Sequence, residues 1–121
     1  MKKIITALFA AVFVLPAVAE EKGFTSLFDG KTLKGWDGKK EFWSVQDGAI
    51  QGKTTKETPT KGNTFIIWKG GTVADFELKF EYRFLTKSGN SGCQYRSEDM
   101  GNNVVKGYQG DFEAGTRFSG I

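Results

Sequence analysis

The segment 75–85, DFELKFEYRFL, constrains the fold more than any other part of the chain. In it Phe76, Leu78, Phe80, Tyr82 and Phe84 alternate with Glu77, Lys79, Glu81 and Arg83. Strand side chains point alternately to opposite faces, whereas a helix would scatter these residues around its circumference. Period two therefore predicts a strand with one apolar and one charged face. The split recurs twice downstream. In 92–96, Cys93 and Tyr95 oppose Gln94 and Arg96; in 107–113, Tyr108 and Phe112 oppose Gln109, Asp111 and Glu113. Three neighbouring strands of this kind make a sheet with a polar face bearing carboxylates and arginines, which suits a sugar-binding cleft.

The remainder reads as short strands and turns. Phe24 to Phe28 is apolar and runs into the turn dipeptide Asp29-Gly30; Leu33, Gly35 and Trp36 lead to a second expected loop at Asp37-Gly38. The clearest hairpin is 42–46 and 49–51 around Asp47-Gly48, a two-residue loop whose Gly accepts positive φ. Residues 52–63, rich in Thr, Lys and Gly, predict an exposed loop before a strand at 64–68. No run of four or more turns carries helical period, and 16 glycines fit many tight turns. The pattern predicts one all-β domain, a sandwich or jelly roll.

The first residues have a separate purpose. Lys2 and Lys3, an apolar run from Ile4 to Leu15, Pro16 and the triplet Ala17-Val18-Ala19 match a secretory signal peptide cut before Glu20. The run is shorter than the ~20 apolar residues a membrane helix needs. The expected organisation is a signal peptide at 1–19 and a β-sandwich domain at 20–121, exported to a bacterial periplasm or beyond. The chain stops at Phe118-Ser119-Gly120-Ile121 without a closing element, so the domain is expected to be truncated at its C-terminus. Lys2 and Lys3 supply two of the 17 basic residues, leaving 15 against 14 acidic ones in the mature part. That balance gives no basic stripe for nucleic acid. The absence of His excludes a Ser-His-Asp triad, a Cys-His pair and the usual zinc sites within this chain. Cys93, alone and on an apolar strand face, reads as a small core residue.

Five segments together resemble a known family: 24–36 (FTSLFDGKTLKGW), 43–50 (WSVQDGAI), 75–84 (DFELKFEYRF), 90–96 (NSGCQYR) and 107–112 (GYQGDF). In that order they look like the 3-keto-disaccharide hydrolase domain, of which they cover about the first two-thirds. Each motif is weak alone; their order is specific. The resemblance implies a concanavalin A-like jelly-roll sandwich of antiparallel sheets. It also implies cleavage of glycosides already oxidised to a ketone at C3.

Such a substrate explains the residue types. A C3 ketone acidifies the C2 proton, so a carboxylate can remove it, the C1 substituent leaves, and water adds to the enone. A base and a cationic or hydrogen-bonding partner for the enolate oxygen suffice. Asp111 or Glu113 is the candidate base and Arg96 or Arg83 the oxyanion partner. Gln94, Gln109 and Asn90 are placed to hold hydroxyls, with Glu81 and Tyr108 completing the expected substrate contacts. The bland alternative for Glu81, Arg83, Arg96 and Asp111 is cross-strand ion pairing on a solvated face, at roughly 0.2 to 1 kcal/mol per pair.

Glucanases of the same fold class carry Glu-x-Asp-x-Glu on one strand, with nucleophile and acid about 5 Å apart. Here the first position is Gln109, whose amide cannot form a glycosyl ester, so ordinary retaining hydrolysis is not expected. A lectin-like carbohydrate-binding module is the non-catalytic alternative, with Trp36, Trp43, Trp68 or Tyr95 stacking on sugar rings; core packing is the other reading of Trp36 and Trp43. No cofactor is evident. Ser97-Glu98-Asp99 offers oxygen ligands for a divalent metal such as calcium, without regular ligand spacing.

Overall fold

A computed structural model describes residues 22–115. Among them the chain is all-β and contains no helix. Six strands follow in order: β1 (Trp36–Gly38), β2 (Trp43–Gln46), β3 (Ala49–Gly52), β4 (Ile66–Trp68), β5 (Asn90–Gly101) and β6 (Val104–Glu113). They pair antiparallel as β1–β4, β2–β3 and β5–β6. These are ribbons of the kind a β-sandwich is built from.

The β2–β3 hairpin follows the sequence closely. Asp47 and Gly48 both take positive φ (50° and 75°), the pair of left-handed residues whose twist matches a two-residue hairpin. The register then sets Gln46 against Ala49 and Trp43 against Gly52. Trp43 explains two glycines at once. A Cβ at Gly52 would stand 2.8 Å from the Trp43 ring, and one at Gly38 would stand 3.1 Å from it and 3.0 Å from Ile66. The indole therefore lies across both ribbons, and only hydrogen at these positions leaves room for it.

This corrects the expected loop at Asp37-Gly38, which lies inside β1 with Gly38 opposite Ile66. The glycine is there for close packing, not for a turn. Phe42, 7% exposed, is the buried hydrophobic residue beside this packing. Trp36 Nε1 donates to Leu27 O (2.8 Å) and Trp43 Nε1 to Thr64 Oγ1 (3.2 Å), so each half-buried indole satisfies its polar edge internally. Both tryptophans are packing residues here.

The strand expected at 75–85 does not form as a strand. Within it Phe80 and Tyr82 both reach Phe112, at ring centroid distances of 5.7 and 4.2 Å. The alternation thus did mark an apolar side correctly. A strand also needs a neighbour offering N–H and C=O groups in register, and among the described residues none pairs with this segment.

The β5–β6 hairpin is longer than the sequence pattern indicated. Its two-residue turn, Asn102-Asn103, again has positive φ at both positions (55° and 57°). The ladder pairs Asn90 with Glu113, Gly92 with Asp111, Gln94 with Gln109 and Tyr95 with Tyr108. It then slips: Glu98 faces Lys106, so Arg96 and Ser97 together oppose Gly107. Arg96 adopts positive φ (47°) at this bulge, which bends the strand and breaks its alternation.

Candidate functional site

Because strand residues two apart share a face, the register collects Asn90, Gly92 and Gln94 of β5 with Gln109, Asp111 and Glu113 of β6 on one side of the hairpin. Ser91, Cys93 and Tyr95 share the other side with Tyr108 and Phe112. The polar face read from the alternation is therefore real for these strands. Asp111 and Glu113 lie about 7 Å apart along β6, at two strand residues' rise.

A line of hydrogen bonds runs across this face. Gln94 Nε2 donates to Gln109 Oε1 (2.6 Å) and Gln109 Nε2 donates to Asp111 Oδ1, while the Ser97 hydroxyl reaches both Gln94 Oε1 (3.1 Å) and Tyr95 O (2.8 Å). Glycines make room for it. A Cβ at Gly92 would lie 2.6 Å from Gln109 Cγ, and one at Gly107 would lie 2.1 Å from Ser97 Oγ. Gln94 and Gln109 are half-buried, while the Asp111 carboxylate at the end of the line is exposed.

Not every expected residue joins this group. Tyr108 stands on the opposite face, its ring 6.0 Å from that of Tyr95. The cause is parity: position 108 is out of step with 109, 111 and 113. The bulge similarly withdraws Arg96, whose guanidinium lies 3.9 Å from Asp75 Oδ1. Glu81 and Arg83 are exposed on the 75–85 segment, on its side away from Phe80 and Tyr82. Neither belongs to the hydrogen-bonded line. Ser97 is the member that sequence reasoning missed as a polar-face residue, since only the slipped register brings its hydroxyl to Gln94.

The charged groups near the bulge have structural partners. Lys69 Nζ contacts Asp99 Oδ2 at 3.0 Å, and Gly101 N donates to Asp99 Oδ1 at 2.9 Å. The hydrogen bond to Asp99 raises the Lys69 ammonium above its usual range, and the bond from Lys69 lowers the Asp99 carboxyl. The expected loop at 97–99 lies within β5, where both Asp99 oxygens are engaged and the Ser97 hydroxyl is directed at Tyr95 O and Gln94 Oε1. No cluster of three or more His, Cys, Asp or Glu side chains occurs among the described residues. Burial pushes the Cys93 thiol upward, away from the thiolate a reactive cysteine needs.

Chemically, the face offers a carboxylate whose orientation is set by an amide, a second carboxylate on the same strand, and no nucleophile at the Gln109 position. No helix among the described residues is long and apolar enough to cross a membrane. The family model described as a 3-keto-alpha-glucoside-1,2-lyase-like domain matches residues 23–120. A protein of Bacteroides thetaiotaomicron named 3-keto-disaccharide hydrolase is 30% identical over 107 residues, covering 76% of this chain and 35% of that protein. The chain thus spans about a third of the length of the curated relative it matches. No solved structure matches it. The alignment along nearly the whole of the described region, together with the all-β architecture, places the chain in the family of 3-keto-alpha-glucoside-1,2-lyase-like domains.

Proposed function

We propose that the protein is an exported enzyme that cleaves 3-keto-glycosides or 3-keto-disaccharides by elimination across C1 and C2 followed by hydration. The observation that carries this reading is the Asp111 carboxylate held by Gln109 on the polar face of β5–β6. Asp111 takes the C2 proton, electrons shift into the C3 carbonyl to form the enolate, and the C1–O bond breaks to give the enone. Water then adds to it. In this reading Glu113 is the second carboxyl group of the same face, serving the leaving group or the incoming water, and Gln94 and Asn90 hold hydroxyls. Membership of the family and the name of the Bacteroides relative support the substrate class.

Export rests on the motif at residues 1–19, which lies outside the described residues. Intact-mass analysis of protein recovered outside the cytoplasm should give a chain beginning at Glu20. Retention of 1–19 would overturn that part.

The functional test is selectivity. The protein should consume a 3-keto-disaccharide and leave the unoxidised sugar intact, because only the ketone makes the C2 proton acidic enough for a carboxylate. D111N should lower turnover at least about 100-fold, the usual scale of a general base, and leave the fold intact. Equal cleavage of the unoxidised sugar, or full activity in both D111N and E113Q, would refute the assignment. A lectin-like reading is favoured by a different observation, the paired Tyr95 and Tyr108 rings, 43% and 66% exposed. Sugar binding without turnover, lost in Y95A/Y108A, would establish it instead.

A further inference from the structure

We propose that Gln109 is a positioning residue that determines which oxygen of Asp111 meets the substrate, and that Gln94 and Ser97 hold Gln109 in that role. The proposal deepens the assignment of Asp111 as the base and rests on it. A carboxylate only accepts hydrogen bonds, so Gln109 must turn Nε2 toward Asp111 Oδ1. Its Oε1 then faces Gln94, which must present Nε2 at 2.6 Å; the Ser97 hydroxyl lies between Gln94 Oε1 (3.1 Å) and Tyr95 O (2.8 Å) and has one proton for the two acceptors. One polarity is thereby imposed on Asp111, Gln109 and Gln94 in succession.

Two features of the backbone serve this line and nothing else described on the face. Gly92 sits directly opposite Asp111, and the Gln109 side chain occupies the space its Cβ would take, with Cγ, Cδ and Nε2 all within 2.7 Å of that point. The bulge brings Ser97 over Gly107, whose missing side chain admits the hydroxyl. With Oδ1 committed to Gln109, proton transfer falls to Oδ2, and the carboxylate cannot rotate without breaking the bond.

The test is a double-mutant cycle with a spectroscopic readout. Gln109→Leu should lower kcat roughly 10-fold, with KM within about twofold, because a mis-aimed base loses rate more than binding. In a D111N background the same substitution should change residual turnover less than about twofold, since the group it orients is gone. Equal loss in both backgrounds would mean a merely structural role and would overturn the proposal. Independently of turnover, the side-chain amide resonances of Gln109 and Gln94 should both shift in D111A, because removing the carboxylate takes away the acceptor that sets the direction of the line. Replacing the other carboxylate of this face, in E113Q, should leave both signals in place. Amide signals unchanged in D111A would sink the relay even if the enzyme proves active. A protein without 3-keto-glycoside turnover but with coupled amide shifts would retain the relay and refute the functional assignment.

Discussion

At the scale of single residues, the sequence shows most clearly where a side chain's role depends on near neighbours. Asp29 accepts bonds from the Thr32 hydroxyl (2.6 Å) and from the amides of Thr32 (2.6 Å) and Lys31 (2.8 Å). The Thr32 hydroxyl first, then these amides, hold its carboxyl down to about 2. Its folded value is lowered, so its contribution to stability is present above the unfolded value of about 3.9 and is lost as pH falls through about 2. D29A should therefore melt below the unmodified protein at pH 6, with the gap closing between pH 4 and 2; a gap that does not change with pH would contradict this. The Asp-Gly dipeptide announces that turn. Gln109, Asp111 and Glu113 were equally readable, since parity alone assigns their face. Arg96 was not, because its place depends on a bulge that no local pattern announces. The glycine beneath that bulge gives a second measurable consequence. G107A drives a Cβ to 2.6 Å from the Ser97 Cα, whereas G92A meets only atoms of the movable Gln109 side chain. Overpacking against backbone should cost G107A roughly 1 to 3 kcal/mol, and G92A less. The reverse order of denaturation midpoints would show that the bulge yields more readily than the amide.

Secondary-structure elements depend on two kinds of information, and the sequence carries one better than the other. Alternation in 75–85 encodes which side chains share a side, and Phe80 and Tyr82 do meet Phe112. It does not encode a pairing partner, and the segment has none among the described residues. Where the turn fixes the partner, the element is legible. Asp47-Gly48 set the β2–β3 register because Gly48 takes positive φ freely. Asn102-Asn103 serve the same purpose for β5–β6 with a fainter signal, since Asn merely tolerates the left-handed region. Placing a β-branched residue there should expose that dependence. Asn103→Val should cost about 1 to 2 kcal/mol and weaken cross-strand contacts between Tyr95 and Tyr108. Unchanged stability with intact contacts would mean that the ladder, not the turn, sets the hairpin.

At the scale of the whole molecule, the ribbons are joined by few contacts. Lys69–Asp99 ties the end of β4 to β5, and Phe112 ties the 75–85 segment to β6. The ion pair is exposed at both ends and contributes little, so the aromatic contacts carry most of the connection. They leave much apolar surface uncovered: Phe76, Phe80 and Tyr82 are 47%, 51% and 52% exposed, and the stacked Tyr95 and Tyr108 lie open on the same side of the hairpin as Phe112. Contiguous apolar surface of this kind drives association or dye binding unless something covers it, and 75–85, which pairs with no strand among the described residues, offers an edge to further strands. The chain purified alone should therefore bind an environment-sensitive hydrophobic dye, and its sedimentation should become faster with concentration. F112A should increase dye binding, because it frees the rings of Phe80 and Tyr82 from their contact with the hairpin. A monomer with a sharp calorimetric transition and no dye binding would mean that these faces find cover within the chain, with 75–85 paired in solution as its alternation implies.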